Sequence, residues 1–95
     1  MTDLTDTQRR QTIEETMPDR NPDALFMDGL DDAIIGIGQQ FTHDPVVVYD
    51  ERRIIEVLRS WGMEEQEAEE YFSFNIQGSW VGENTPIIIC GLDRL

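Results

Sequence analysis

The sequence predicts an α+β domain in which a three-stranded sheet packs against a helical hairpin, the elements following in the order ββααβ behind a polar N-terminal arm. Three observations predict it. β-Branched apolar runs stand at Ile34-Ile35, Val46-Val47-Val48 and Ile87-Ile88-Ile89. Two stripes of helical period, divided by Gly62, lie between the second and third of these runs, and residues 1–24 carry only Leu4, Ile13 and Met17 as sizeable apolar groups. A chain of 95 residues supports one domain with a small core, because a fold of this size buries only about 60 to 65% of the surface its unfolded chain exposes. The expected division is an arm over residues 1–24, mobile or ordered by a partner, and a domain over 25–95.

Within the arm, Thr5 or Asp6 can cap a short helix running to Thr16, with Ile13 and Met17 four residues apart on a thin stripe. The segment Ala33 to Phe41 is rich in isoleucine but broken by Gly36 and Gly38. Each glycine costs a helix interior about 1 kcal/mol, which favours a strand. The competing reading is a helix from Leu30 capped by Asp31. Val46 to Tyr49 forms the second strand by its β-branched density, and Thr42-His43-Asp44-Pro45 is the turn of a hairpin.

Asp50 offers a side-chain oxygen to the first free amides of a helix, and Glu51 places negative charge at its positive end. Ile54, Val57, Leu58 and Trp61 recur at helical spacing and form its apolar stripe, and Gly62 supplies the left-handed stop. A second helix runs from near Glu64 to about Ile76, with Ala68, Tyr71, Phe72, Asn75 and Ile76 on its inner face. The short gap makes the two an antiparallel hairpin. Pro86 to Cys90 reads as a buried final strand, and the sheet is antiparallel or mixed with both helices on one face.

Charge narrows the function classes. Twenty acidic residues oppose seven basic ones, for a formal charge of -13, and every basic residue is arginine. No base occurs from Ser60 to Asp93. Direct nucleic acid binding is excluded on this ground, since phosphate tracking needs clustered Lys or Arg. Such a surface attracts basic partners and speeds their encounter, or else serves solubility and life in salt. The single Cys90 allows no intrachain disulfide, the N-terminal segment has no apolar core of the signal-peptide kind, and no run approaches the roughly 18 apolar residues of a membrane span. A cytoplasmic setting is expected.

The candidate contact residues come from the second helix. Glu67, Glu70 and Phe74 fall within about 60° of one another on a helical wheel, opposite Ala68 and Phe72. An exposed ring framed by carboxylates is an anchor for a protein partner, the ring supplying contact area and the acids steering. The bland alternative has Phe74 folded under the loop 77–85. Trp80 is a packing residue or a second anchor. Asn75, polar on the inner face, is expected to bond the backbone of the loop 78–82, because a buried amide without partners costs about 1 to 3 kcal/mol.

Other constellations fall short of chemistry. Gly78-Ser79-Trp80-Val81-Gly82 follows a helix, lacks lysine and is flanked by acids, so it is no phosphate loop. Asp28, Asp31 and Asp32 resemble a fragment of a calcium loop without its spacing or distal glutamate, and capping is the expected role. His43, Asp44 and Cys90 could form a thiol site only if brought together, and a lone Cys in an apolar strand is ordinarily a small core residue. The helix pair has helix-turn-helix spacing, but Glu64, Glu65, Glu67, Glu69 and Glu70 would repel phosphates. No catalytic residue, metal or cofactor is expected.

The strings DGLDDAIIG and YDERRIIEVLRSWGMEEQEAEEYFSFNIQGSWVGENTP, the latter from Tyr49 to Pro86, resemble a group of small, functionally uncharacterised proteins of tailed bacteriophages and prophages. The shared pattern is YD, a helix with spaced Ile and Leu, GM with EEA and EYFxFN, and a VGExTP turn before a last strand. It covers about residues 28–90 of the 95 and not the arm. Glu64 stands where a Thr or Ser cap is expected, and the charge is unusually negative. The resemblance implies a phage origin and a place in the host cytoplasm, not an activity. By analogy with small acidic phage inhibitors, the expected function is noncatalytic binding of a basic host or anti-phage defence protein, by nucleic-acid mimicry. The alternative is a structural or regulatory homo-oligomer whose acidity serves solubility.

Overall fold

Strands β1 (Ile34–Gly38) and β2 (Val46–Asp50) form the antiparallel hairpin expected from the sequence, and β3 (Ile87–Ile89) lies parallel to β2 on its other side. The order β1-β2-β3 makes a mixed three-stranded sheet. The computed structural model describes residues 6–77 and 82–94. Helices α1 (Asp6–Arg20), α2 (Glu51–Ser60) and α3 (Glu65–Tyr71) complete the α+β fold, with a 3-10 turn over Asp31–Ala33 and another over Leu92–Arg94. The competing helix from Leu30 is thus reduced to that first turn, after which the chain extends into the strand expected.

A bulge in β1 explains its sequence. Ile34 pairs with Tyr49 and Gly36 with Val48, so Ile35 is an extra residue that leaves the ladder. A bulge resets the alternation of faces. Ile34 and Ile37, three apart, therefore both face inward opposite Tyr49 and Val47, while Gly36 and Gly38 fall on the outer face. Gly38 has a second reason to be small, since a Cβ there would lie 2.8 Å from Val48 Cγ2 and 3.2 Å from Ile87 Cδ1. β2 is central and buried throughout Val46–Tyr49, as its unbroken apolar run requires.

The core joins Ile34, Val47 and Tyr49 of the sheet to Ile54, Ile55 and Leu58 of α2 and to Ala68 and Phe72. Ile13 and Met17 belong to the same cluster, 4% and 2% exposed. This corrects the reading of residues 1–24 as an arm apart from the domain, because α1 docks on the sheet. The thin stripe is sufficient because polar residues of α1 bond the domain as well. Arg9 Nε donates to Ile34 O at 2.8 Å, at the bulge, and Arg10 donates to Asp31 at 2.9 Å while its guanidinium lies 3.9 Å from the Phe26 ring centre. The helix passes Thr16 and includes Pro18, which has no N–H for the carbonyl four residues back, and it ends two residues later at Arg20.

α2 follows the sequence closely. Asp50 accepts from Arg53 N at 3.1 Å as its N-cap, and Gly62 takes φ +101° at the stop. Trp61 differs. It lies one residue beyond α2 and is 51% exposed, while Ile55, outside the expected stripe, is buried. β3 also differs from the buried strand expected, since an edge strand has a neighbour on one side only. Ile87 and Ile89 are 40% and 43% exposed, Ile88 packs on the core, and Cys90 is exposed rather than a core residue.

Candidate functional site

α3 is built from carboxylates, and its start depends on one of them. Glu64 N donates to Glu67 Oε1 at 3.3 Å, and Glu64 O accepts the first helical bond from Ala68 N at 2.8 Å. Glu67 therefore supplies at the third helical position the returning half of a capping box in which Glu64 stands in the place of Thr or Ser. Beyond the first turn the acids oppose folding. Glu65 and Glu69 are four apart and Glu67 and Glu70 three apart, spacings at which like charges cost about 0.2 to 0.5 kcal/mol per pair.

From Phe72 to Ile76 the helix widens into a π turn, closed by Gln77 N donating to Phe72 O at 2.8 Å. The angular step changes there, so an ideal wheel does not hold beyond Phe72. Phe74 nonetheless faces solvent, 83% exposed, which overturns the alternative of a ring folded under the loop. Glu67 and Glu70 are exposed on the same continuous helix, and Glu70 Oε1 accepts from Gln66 Nε2 at 3.4 Å. Three of the four expected contact residues thus lie exposed along α3 and its π turn, and Trp80 lies outside the described residues.

Asn75 is corrected. It is exposed, and its Nδ2 donates to Tyr71 O at 3.3 Å within its own helix, because the wider turn carries it off the inner face. The amide that pins loops is Asn21, 3% exposed at the end of α1. Its Nδ2 donates to Pro45 O at 2.9 Å and to Asn84 Oδ1 at 3.0 Å, and its Oδ1 accepts from Asp23 N at 3.1 Å.

Two exposed aromatics escaped sequence reasoning. Phe41, 92% exposed, stands at the tip of the hairpin, where Gln39 Nε2 donates to His43 O at 2.9 Å and His43 N to Gln40 O at 3.0 Å. An aromatic in a polar turn was the available signal. Trp61 is the other, and with Tyr71 and Asp28 it lines a recess of about 220 Å3 beside the π turn. A larger recess of about 450 Å3 lies between Phe26, Phe72 and Ile88, with Glu51 its charged group.

The remaining candidates are dispersed. Asp31 pairs with Arg10, Asp28 lines the smaller recess, and His43 Nδ1 bonds Phe41 O at 3.0 Å in its own turn. Among the described residues no three of His, Cys, Asp and Glu form a metal-holding group, and no helix is long and apolar enough to cross a membrane. Comparison with protein-family models, with curated proteins and with solved structures finds no match, which leaves the surface itself as the ground for a functional reading.

Proposed function

We propose that this protein acts without catalysis, by presenting the acidic and aromatic surface of α3 and its π turn to a basic protein. One observation carries the reading. Glutamates stand on α3 at spacings that cost stability, on the same helical run as an aromatic ring, Phe74, that is 83% exposed. Local conflicts of this kind collect where a surface serves something other than folding. A basic partner relieves the repulsion among the carboxylates, and the ring supplies buried contact area.

Together with the phage resemblance, this makes the partner a host or anti-phage defence protein whose nucleic-acid groove accepts the carboxylates in place of phosphates, in the host cytoplasm. The test is retention of such a basic protein on the immobilised chain. Reversing Glu67 and Glu70 together to Arg is expected to abolish retention while circular dichroism shows that α3 survives loss of the Glu67 capping bond, and Phe74→Ala to weaken it roughly tenfold or more, as for an anchor residue. Retention that survives the double reversal rejects the proposal.

A second reading has its own observation. Ile87 and Ile89 stand 40% and 43% exposed on the edge strand β3, a surface on which another copy could pair. Sedimentation of the isolated chain decides it, since a homo-oligomer has a mass above 11.0 kDa without any partner.

A further inference from the structure

We infer that the recess between Trp61, Tyr71 and Asp28 is a seat for one arginine side chain of the basic partner. The inference rests on the protein-binding reading and names the chemistry that reading leaves open. The recess is lined by an indole, a phenol and a carboxylate, with Met27, Leu30, Asn75 and Ile76 completing its wall. At about 220 Å3 it falls below the roughly 300 to 1,000 Å3 of sites for drug-sized ligands, and its size suits a single side chain.

Its position is built by the fold. Gly29 takes φ +78°, and the indole of Trp61 lies against it so closely that a Cβ there would meet Trp61 Cζ2 at 3.0 Å. The loop before β1 thus carries Asp28 to the ring that caps α2, and Tyr71 comes from the end of α3. Trp61 is 51% and Tyr71 38% exposed, so both rings remain open to a ligand. Asp28 is exposed and has no hydrogen-bond or ion-pair partner among the described residues.

Aromatic faces attract a cation through their quadrupole, most strongly at Trp, and a carboxylate beside them completes the site. Guanidinium fits better than ammonium. It is planar, stacks on rings, and can bond a carboxylate through two parallel N–H groups. The charge of the chain, -13 with no lysine, disfavours a second copy in this seat and favours a basic polypeptide.

The experiment uses the full chain carrying Trp80→Phe, so that Trp61 is the only tryptophan, and a six-residue arginine peptide as probe. The peptide is expected to change Trp61 emission saturably in about 0.3 M salt, where exposed charges are strongly screened. Asp28→Asn is expected to weaken binding roughly tenfold or more, the effect of losing a charged acceptor. The matching citrulline peptide, neutral but of the same shape, is expected to leave emission unchanged. Asp28 is exposed, so its variant keeps the fold, which circular dichroism verifies.

Unchanged Trp61 emission, or an Asp28→Asn chain that binds as well as the parent, overturns the seat. If peptide binding is then lost in the Glu67 and Glu70 reversal, the acidic face of α3 stands while the seat fails. If Trp61 responds and the reversal changes nothing, the seat stands and the α3 face fails.

Discussion

The side-chain amide of Asn21 donates to the side-chain carbonyl of Asn84 at 3.0 Å, joining the end of α1 to the turn before β3 across 63 positions of sequence. With Pro45 O as its second acceptor at 2.9 Å, the amide has both N–H groups satisfied inside the protein. Asn21→Ala is expected to cost about 1 to 3 kcal/mol by urea unfolding, the penalty of leaving buried groups unpaired. Asn21→Asp should cost more, because a carboxylate would face two carbonyl oxygens and has no proton to give them. Equal midpoints for the two variants would show that the bonds contribute little.

Tyr49 gives the protein an alkaline limit. Its side chain is fully buried, its hydroxyl oxygen accepts from Met27 N at 2.8 Å, and burial pushes the phenol above its ordinary value. The folded state therefore holds the proton more tightly than the unfolded one. The resulting stability is complete below the unfolded pKa of about 10 and is lost as pH rises through the folded value. Tyr49→Phe is expected to lower stability at neutral pH by about 1 to 3 kcal/mol, since Met27 N–H loses its acceptor, and to flatten the fall in melting temperature above pH 10. An unchanged alkaline slope would rule Tyr49 out as its source.

Docking of α1 makes the N-terminal segment part of the domain's stability. Ile13→Ala and Met17→Ala are each expected to cost about 2 to 5 kcal/mol, as large-to-small changes in a core do. That is a large share of the roughly 5 to 15 kcal/mol that holds a domain together. Denaturation of the two variants would measure it, and costs near zero would mean that α1 adds nothing to the fold.

The two glycines of β1 should respond in opposite ways. A Cβ at Gly38 would press 2.8 Å from Val48 Cγ2, whereas none of the surrounding atoms lies within 4 Å of a Cβ at Gly36. Gly38→Ala is therefore expected to lose about 1 to 3 kcal/mol through overpacking. Gly36→Ala should be neutral or gain up to about 1 kcal/mol by restricting the unfolded chain. Thermal melts of the pair give the comparison, and similar losses in both would point to the backbone rather than the side-chain space.

What the sequence made legible was local. The hairpin, the Asp50 cap and the Gly62 stop are each decided within a few residues, and each appears in the structure. The inner face of α3 was only half legible, because a π turn has no marked sequence signal and moves Asn75 outward. A buried amide that pins loops is instead found at Asn21, whose partners Pro45 and Asn84 lie 24 and 63 residues away. A bond at that separation leaves no periodic trace. Likewise the run Ile87-Ile88-Ile89 signals a strand but not whether it lies at the centre of the sheet or the edge.

Of the proposed contact surface, Glu67, Glu70 and Phe74 could be found because acids and an aromatic on one helix break the expected pattern. Trp61 was hidden by fitting the apolar stripe of α2 too well. Its exposure follows from the helix ending at Ser60, one residue before it, and its seat on Gly29 depends on a loop remote in sequence.

The parallel placement of β3 against β2 fixes an order of assembly. The hairpin of β1 and β2 closes over residues 39–45, whereas β3 can join only after residues 51–86 have folded back between them. Closure entropy grows with the length enclosed, so the last strand arrives late and is the first to leave. Amide exchange at Ile87–Ile89 should accordingly outpace that at Val47–Tyr49. While the chain is still being synthesised, the edge of Val48 that pairs with Ile87 stays bare until β3 has emerged.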